Sequence, residues 1–190
     1  MPPVPMSMFV EFTVAQGTSR VACVEDSQRD YDPRFDFYKG FRERAVRQLV
    51  EGWDAQAFRR SLQEVRNPRK RSSYEACRVG LTKWARNKDV GARRAQNGTW
   101  EAAGLEVRVN PELRLTLGGE KFIVKMYFKA EEISAARREN ALFLLSEISP
   151  KGWDAAILDA RRGELMTVGD QDPALDALLV SEAAAFGALL

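Results

Sequence analysis

Hydrophobic positions recur at helical spacing in five segments of the chain. In "RFDFYKGFRERAVRQLVEG" apolar residues stand at positions 37, 41, 45 and 49, and Gly52 ends the pattern. Asp54 is a suitable N-cap for a second helix that runs to about Val65. Ser72 or Ser73 is the predicted cap of a third helix in "YEACRVGLTKWARNK". The segments "EEISAARRENALFLLSEI" and "ALDALLVSEAAAFGALL" predict two more amphipathic helices.

Short runs of alternating or apolar residues between turn residues predict strands. "MFVEFTVA" and "RVACVE", joined by "QGTS", predict an N-terminal hairpin. Three further runs cover residues 99–109, 111–117 and 121–128, and the pair Gly118-Gly119 is a strong hairpin signal between the last two. "AAILDA" and "ELMTVG" predict another hairpin, whereas "DVGARRAQNG" is interpreted as a polar connector.

This order of elements predicts an α+β fold. Its expected centre is a mostly antiparallel sheet with a strand meander at about 99–128, flanked by helices at 70–87 and 132–148. The core would run helix, three strands, helix, strand. We interpret residues 1–190 as a single domain, in which 1–65, the hairpin and two helices, form an N-terminal extension of a core at 70–190.

The composition limits the kinds of catalysis and metal binding that are open to this chain. The 190 residues carry a net charge of +2 and no histidine, which excludes Ser-His-Asp and Cys-His catalysis and His-ligated zinc or haem. Cys23 and Cys77 are too few for a disulfide framework and are expected to be reduced, structural thiols of a cytoplasmic protein. We expect no signal peptide and no membrane span. An enzyme of this composition would depend on groups such as Asp, Glu and Lys, with Mg²⁺ as helper.

Glu112 and Lys125 form the candidate catalytic pair. A two-residue turn at Gly118-Gly119 pairs residues whose numbers sum to 237, so Lys125 falls opposite Glu112. Directly opposed residues share one face of a sheet, so we expect the two side chains to meet.

The predicted core order and the residues around this pair resemble the restriction-endonuclease-like superfamily of PD-(D/E)-x-K phosphodiesterases. Pro111-Glu112 matches the acid at the start of the second strand, and Lys125 in "IVK" matches the lysine of the third. The resemblance covers about residues 74–160. It implies a magnesium-dependent nuclease, in which two carboxylates hold Mg²⁺ and the lysine orients water or offsets charge on the phosphate.

One acid of the family's pattern is missing. It would fall on Ile123, which cannot bind a metal. The resemblance implies either a site that has lost its activity or an acid supplied from elsewhere. Glu75 is the candidate second metal ligand beside Glu112, and the other candidates are Glu101, Glu106 and Glu120. A third interpretation is structural: Glu112 and Lys125 form a plain cross-strand salt bridge on an exposed sheet face.

Basic residues are concentrated at positions 66–94, which we call the basic segment. This segment holds ten bases and two acids, Glu75 and Asp89, for a local net charge of +8. We interpret it as a binding surface for DNA or RNA. The bases are Arg66, Arg69, Lys70, Arg71, Arg78, Lys83, Arg86, Lys88, Arg93 and Arg94.

The C-terminal region is acidic instead, with no base after Arg162. Its acids are Glu164, Asp170, Asp172, Asp176 and Glu182. The sequence thus favours a nucleic-acid-associated protein with a nuclease-like core, in phage defence or DNA or RNA processing. The alternative is a non-enzymatic interaction module, such as a toxin–antitoxin or defence-complex subunit, whose C-terminal helix docks a protein partner or a second copy.

Overall fold

The computed structural model describes residues 3–29, 32, 34, 36–169 and 172–190. Asp170 of the acidic C-terminal set lies outside these described residues. The fold is α+β, as predicted, with seven helices and eight strands in the described ranges. The helices are α1 (Met6–Val14), α2 (Thr18–Ser27), α3 (Lys39–Glu51), α4 (Ala55–Leu62), α5 (Pro68–Ala85), α6 (Ala135–Glu147) and α7 (Leu175–Gly187).

The strands form two separate sheets. A three-stranded sheet has the order β1-β4-β3, and a five-stranded sheet has the order β2-β5-β6-β7-β8. In the larger sheet only β6 and β7 run parallel, so it is mostly antiparallel, as predicted. The strands are β1 (Val4–Pro5), β2 (Val90–Arg94), β3 (Gly98–Ala102), β4 (Leu105–Val109), β5 (Leu113–Leu117), β6 (Glu120–Tyr127), β7 (Asp154–Asp159) and β8 (Glu164–Thr167).

The five-stranded sheet separates two hydrophobic cores because its side chains alternate between its faces. On one face Leu113, Leu115 and Val124 pack with buried residues of α3, α4 and α5; we call this the helix face. On the opposite face Ile123 and Ile157 pack with α1, α6, α7 and the smaller sheet. No helix within the described residues is long and apolar enough to cross a membrane.

Helix α5 packs so closely against the turn between β7 and β8 that their backbones are in contact. A Cβ atom on Gly80 would lie 2.2 Å from the carbonyl oxygen of Arg161, and one on Gly163 would lie 2.3 Å from that of Gly80. Gly163 also has φ +69°, a left-handed conformation that favours glycine. The absence of both side chains therefore sets how closely α5 approaches the sheet.

Side-chain caps fix where α4 and α5 begin. Asp54 caps α4 as predicted, accepting the backbone N–H groups of Gln56 and Ala57. Helix α5 begins earlier than predicted, because the Asn67 side chain accepts the N–H groups of Arg69 and Lys70 and Pro68 takes the first helical position. Ser72 and Ser73 therefore lie inside α5, and the prediction that one of them caps the helix was wrong.

The predicted N-terminal hairpin was also wrong, since both of its segments are helical. Helices α1 and α2 occupy the predicted strands and are joined through Gly17 at φ +56°. Phe9, Phe12 and Val24 are buried in the same core, at spacings that bring them to the inner side of each helix. Burial on a helical period thus overrides the β-forming composition of these segments.

The predicted meander at 99–128 is divided between the two sheets. Residues predicted as one strand at 99–109 form the hairpin of β3 and β4, which turns at Ala103 and Gly104 with φ of 46° and 79°. This hairpin belongs to the smaller sheet. On the side of β5 away from β6, where the meander would place residues 99–109, the neighbouring strand is β2. Strand β2 lies inside the segment that was interpreted as a connector.

Candidate functional site

Glu112 and Lys125 meet beside the end of the predicted hairpin, where the Glu112 N–H bonds the Val124 carbonyl and is one residue out of the predicted register. The pairs of β5 and β6 run from Leu117 with Glu120 to Leu113 with Val124, and each pair sums to 237. Just beyond the last pair, the Lys125 ammonium donates to Glu112 Oε1 at 2.9 Å. The prediction that these two side chains meet is therefore confirmed.

The Glu112 carboxylate also takes part in the backbone ladder. Its Oε2 accepts the N–H of Met126 at 2.8 Å, in the place where a strand carbonyl would otherwise lie. The backbone N–H of Glu112 donates to the Val124 carbonyl oxygen at 2.9 Å. Glu112 therefore closes the ladder of β5 and β6 at the point where β5 begins.

Lys125 is held from two directions. Besides the contact with Glu112, its ammonium donates to the backbone carbonyl oxygen of Asn110 at 2.7 Å and to Asn110 Oδ1 at 3.3 Å. The Lys125 and Glu112 side chains are 20% and 10% exposed, so neither lies on an open sheet face. The three acceptors fix the Lys125 ammonium in position, and the Glu112 carboxylate balances its charge.

Helix α3 adds a second base to the pair. The Arg42 guanidinium approaches Glu112 Oε1 at 3.9 Å and donates to Asp36 Oδ2 at 2.6 Å. The four groups carry two positive and two negative charges, which makes the cluster neutral. Arg42 and Asp36 were not predicted, because they come from a helix and a loop that reach the pair only through the packing of α3 on the sheet.

The residues present do not fit a divalent ion. Within the described ranges, no group of three or more Asp, Glu or Cys side chains is placed to hold a metal. An ammonium and a guanidinium occupy the positions around Glu112 that a metal would need. Ile123, where the resemblance requires an acid, is 3% exposed and belongs to the hydrophobic core.

The other candidate acids are paired with other residues or lie in other parts of the fold. Glu75 pairs with Arg78 on α5 at 2.6 Å, and this hydrogen bond holds the pKa of the Glu75 carboxyl below its ordinary value. Glu101 and Glu106 lie opposite each other in the smaller sheet. Glu120 pairs with Leu117 beside the turn, at the far end of the hairpin from Glu112.

The bases of the basic segment lie along α5, beyond both of its ends, and on the edge strand β2. Among the described residues, Arg78 is the one base of the ten that is in an ion pair. Lys70 and Lys88 lie over aromatic rings, of Phe37 at 5.6 Å and of Trp84 at 4.9 Å. Tyr74 and Trp84, which share this segment, are core residues at 3% and 2% exposure.

Two arginines outside this segment form ion pairs that connect elements of the fold. Arg162 pairs with the buried Asp159 at 2.8 Å and donates to the Ala130 carbonyl, so it ties the turn after β7 to the loop after β6. This hydrogen bond with Asp159 raises the pKa of the Arg162 guanidinium. Arg137 pairs with Glu11 at 2.8 Å and joins α6 to α1. Asp159 lies three positions before Arg162, and its other oxygen accepts the backbone N–H groups of Arg161 and Arg162.

The two cysteines lie in different surroundings. Cys77 is buried, its thiol donates to the Phe128 carbonyl with S and O 3.6 Å apart, and burial raises its pKa to about 11. Cys23 is half-buried, and burial raises its thiol pKa as well. A raised pKa keeps both as neutral thiols, which are weak nucleophiles.

Comparisons with known proteins add no family to this description. No protein-family model matches the chain, and a search of curated proteins gives no significant match. The function is therefore inferred from the residues themselves.

Proposed function

We propose that this chain binds nucleic acid through a nuclease-like core whose catalytic site lacks its second carboxylate. The observation that carries the proposal is the unpaired charge of the basic segment. Nine of its ten bases have no ion-pair partner among the described residues. Cations that are not neutralised within the protein are available to phosphate groups.

A weak overall charge does not oppose this proposal. The chain as a whole carries only +2, whereas the basic segment carries +8, so the positive potential is local. Each phosphate that a lysine or arginine neutralises releases condensed counterions. Binding driven in this way is strong at low salt and falls steeply as salt rises.

The order of elements supports a nuclease-like core. Helix α5 is followed in the larger sheet by β2, β5 and β6, then by α6 and by β7, which runs parallel to β6. The resemblance implies this order of helix, three strands, helix, strand. It also implies an acid at the start of the second strand and a lysine on the third, the positions of Glu112 and Lys125.

The contacts of Glu112 favour binding without cleavage. Glu112 has two basic groups beside it and a backbone N–H on its second oxygen, and Ile123 fills the position of the missing acid. A phosphodiesterase of the implied kind needs a metal between two carboxylates. The core is thus proposed to keep the architecture and the phosphate affinity of such enzymes, without the metal chemistry.

Retardation of labelled DNA and RNA, measured from low to high salt, tests the proposal. Wild type should bind single- and double-stranded probes of unrelated sequence, with a logarithm of affinity that falls linearly with the logarithm of salt concentration. Replacing Arg69, Lys70 and Arg71 together by Ala should weaken binding to every probe.

The control is a triple variant with the same loss of charge outside the basic segment, in which Arg29, Arg47 and Lys129, all exposed, become Ala. It should bind as wild type does. The proposal fails if wild type retards neither DNA nor RNA at low salt, or if the two triple variants weaken binding equally.

The second candidate function is that of a protein-interaction module, and α7 favours it. Leu178 and Val180 on this helix are 52% and 39% exposed, and Leu189 beyond it is 46% exposed. Size-exclusion chromatography with light scattering distinguishes the candidates. A defined oligomer that dissociates when Leu178 and Val180 become Ser, in a chain without nucleic-acid affinity, would favour the module.

A further inference from the structure

One region of the larger sheet, opposite the helix face, places two bases that the basic segment does not include beside Arg93 of that segment. Arg93 on β2 lies directly opposite Arg114 on β5, and Lys121 on β6 lies opposite Thr116, two residues beyond Arg114. Cross-strand partners share a face, so the three bases stand on one side of the sheet. Together with Trp153, in the turn before β7, we call them the sheet-face cluster.

These bases are close to one another without an acid to separate them. Like charges on directly opposed strand positions repel, yet Arg93 and Arg114 face each other. None of the three bases has an ion-pair partner within the described residues, and Arg114 Nε is buried without a hydrogen-bond acceptor there. An arrangement that costs free energy in the isolated protein is relieved when an anion binds between the charges.

Two acids along these strands, Glu120 and Asp154, point to the other side. A third, Glu112, is bonded to Lys125 and to the Met126 N–H. Glu120 pairs with Leu117, and Asp154 pairs with Phe122; both partners belong to the helix-face core. The region around the bases is also open, since Gly91, Thr116 and Lys121 are exposed. An anion approaching this face therefore meets bases, while Glu120 and Asp154 point away from it and Glu112 is already bonded.

Trp153 gives the cluster an aromatic centre. The Arg114 guanidinium carbon lies 5.5 Å from the centroid of the Trp153 ring, and Lys121 Nζ lies 5.9 Å from it. The indole is half-buried and packed against the core, so it holds both bases near one place. Bases fixed on a rigid ring lose less freedom when they bind a phosphate than bases on free side chains.

Strand β2 connects this face with the basic segment around the edge of the sheet. Arg94 pairs with Leu113, whose side chain is in the helix-face core, whereas Arg93 pairs with Arg114. Adjacent residues of one strand point to opposite faces, so Arg93 and Arg94 place positive charge on both sides of the free edge. Bases of the basic segment are thereby present on both faces of the sheet at its β2 edge.

We infer that the sheet-face cluster binds phosphodiester groups of the same nucleic acid, where the strand passes around the β2 edge. This inference rests on the proposed function and adds Arg114, Lys121 and Trp153 to it. The Arg93 and Arg114 forks hold phosphate oxygens by charge-assisted hydrogen bonds, and Lys121 neutralises a neighbouring phosphate. Trp153 positions the bases and changes its surroundings when the phosphates bind.

Salt-dependent binding of a labelled single-stranded oligonucleotide and of its duplex tests the inference, with Arg114 and Lys121 both replaced by Gln. The slope of log affinity against log salt should become shallower by about two, because each of the two bases neutralises one phosphate. The control replaces Arg108, an exposed strand arginine of the smaller sheet, and Lys129 by Gln, and it should keep the wild-type slope. Thermal unfolding of each variant shows that its fold is kept.

Tryptophan fluorescence gives a second readout, for which Arg114 need not be replaced. The oligonucleotide should change the emission of wild type, and Trp153→Phe should remove this change while leaving a measurable affinity. Failure of wild type to bind any probe would remove the proposed function as well. Binding that is weakened by the variant at Arg69, Lys70 and Arg71 but keeps its slope in the Arg114 and Lys121 variant would overturn this inference alone.

Discussion

Glu112 binds both the side chain of Lys125 and the backbone of the strand that carries it. One carboxylate oxygen accepts the lysine ammonium at 2.9 Å, and the other accepts the N–H of Met126 at 2.8 Å. The pair, predicted to be either a catalytic couple or a structural salt bridge, therefore joins β5 to β6.

Replacing Glu112 by Ala should lower the free energy of unfolding by about 2–3 kcal/mol, because it leaves a largely buried ammonium and a backbone N–H without their acceptor. Glu112→Gln should cost less, since an amide oxygen can still accept from Met126. Urea denaturation measures both. A Glu112→Ala protein as stable as wild type would show that the contact does not support the fold.

No cleavage of single- or double-stranded DNA or RNA is expected with Mg²⁺ or Mn²⁺. The physical reason is that Glu112 faces two basic groups and Ile123 provides no second carboxylate. The assay compares wild type with Glu112→Ala and Lys125→Ala. Cleavage by wild type that is lost in both variants would contradict the degenerate interpretation, whereas cleavage that survives in both would exclude this pair as its site.

Gly80→Ala should destabilise the protein by about 3 kcal/mol or more, because the added methyl would overlap backbone atoms of the β7–β8 turn that cannot move alone. Gly187→Ala is the matched control, in another helix with nothing within 4 Å of the added Cβ. Thermal or urea unfolding compares them. Equal stability of the two variants would show that α5 does not approach the turn so closely.

Asn67→Ala should cost about 1 kcal/mol, because two N–H groups in the first turn of α5 lose their acceptor. Ser72→Ala, within the same helix, should leave stability unchanged or slightly raise it, since alanine is the better helix former. If urea denaturation shows a larger loss of stability for Ser72→Ala than for Asn67→Ala, α5 begins at the serines and not at Asn67.

Cys77 should resist alkylation by iodoacetamide at pH 8 in the folded protein, because its pKa of about 11 leaves almost no thiolate. Cys23→Ser isolates its reaction, and urea should restore the rate. The same shift predicts a pH dependence. A thiol whose folded pKa is raised stabilises the fold below its unfolded pKa, and this stabilisation is lost as pH rises toward 11.

The sequence predicted the β5–β6 hairpin, including its register, because a two-residue glycine turn and the alternation of strand side chains leave little freedom. The same kind of pattern was misleading at α1 and α2. Phe and Val favour strands when only neighbours are considered, but Phe9 and Phe12 fill a core that other elements create. Strand β2 was missed because an exposed edge strand carries glycine and arginine, as a connector does.

From the sequence, only the part of the candidate site that lies on the β5–β6 hairpin could be predicted. Cross-strand geometry brought Glu112 to Lys125, but Arg42 and Asp36 arrive from α3 and the loop before it, and no local pattern indicates them. Likewise Arg114 and Trp153 are 39 positions apart in the sequence and meet because β6 and β7 run side by side. Groups of this kind depend on the complete tertiary structure.

The path of the chain around β2 has a consequence for the order in which the sheet assembles. After β2 the chain leaves the larger sheet, forms the β3–β4 hairpin in the smaller one, and returns only at β5. The β5–β6 hairpin closes through a short turn, whereas the pairing of β2 with β5 requires a long loop to close at a greater cost in entropy. We therefore expect β2 to join the sheet late and to open early, and its amide hydrogens to exchange with solvent faster than those of β6. The edge that carries Arg93 and Arg94 is in this way the part of the sheet that can loosen without unfolding the rest.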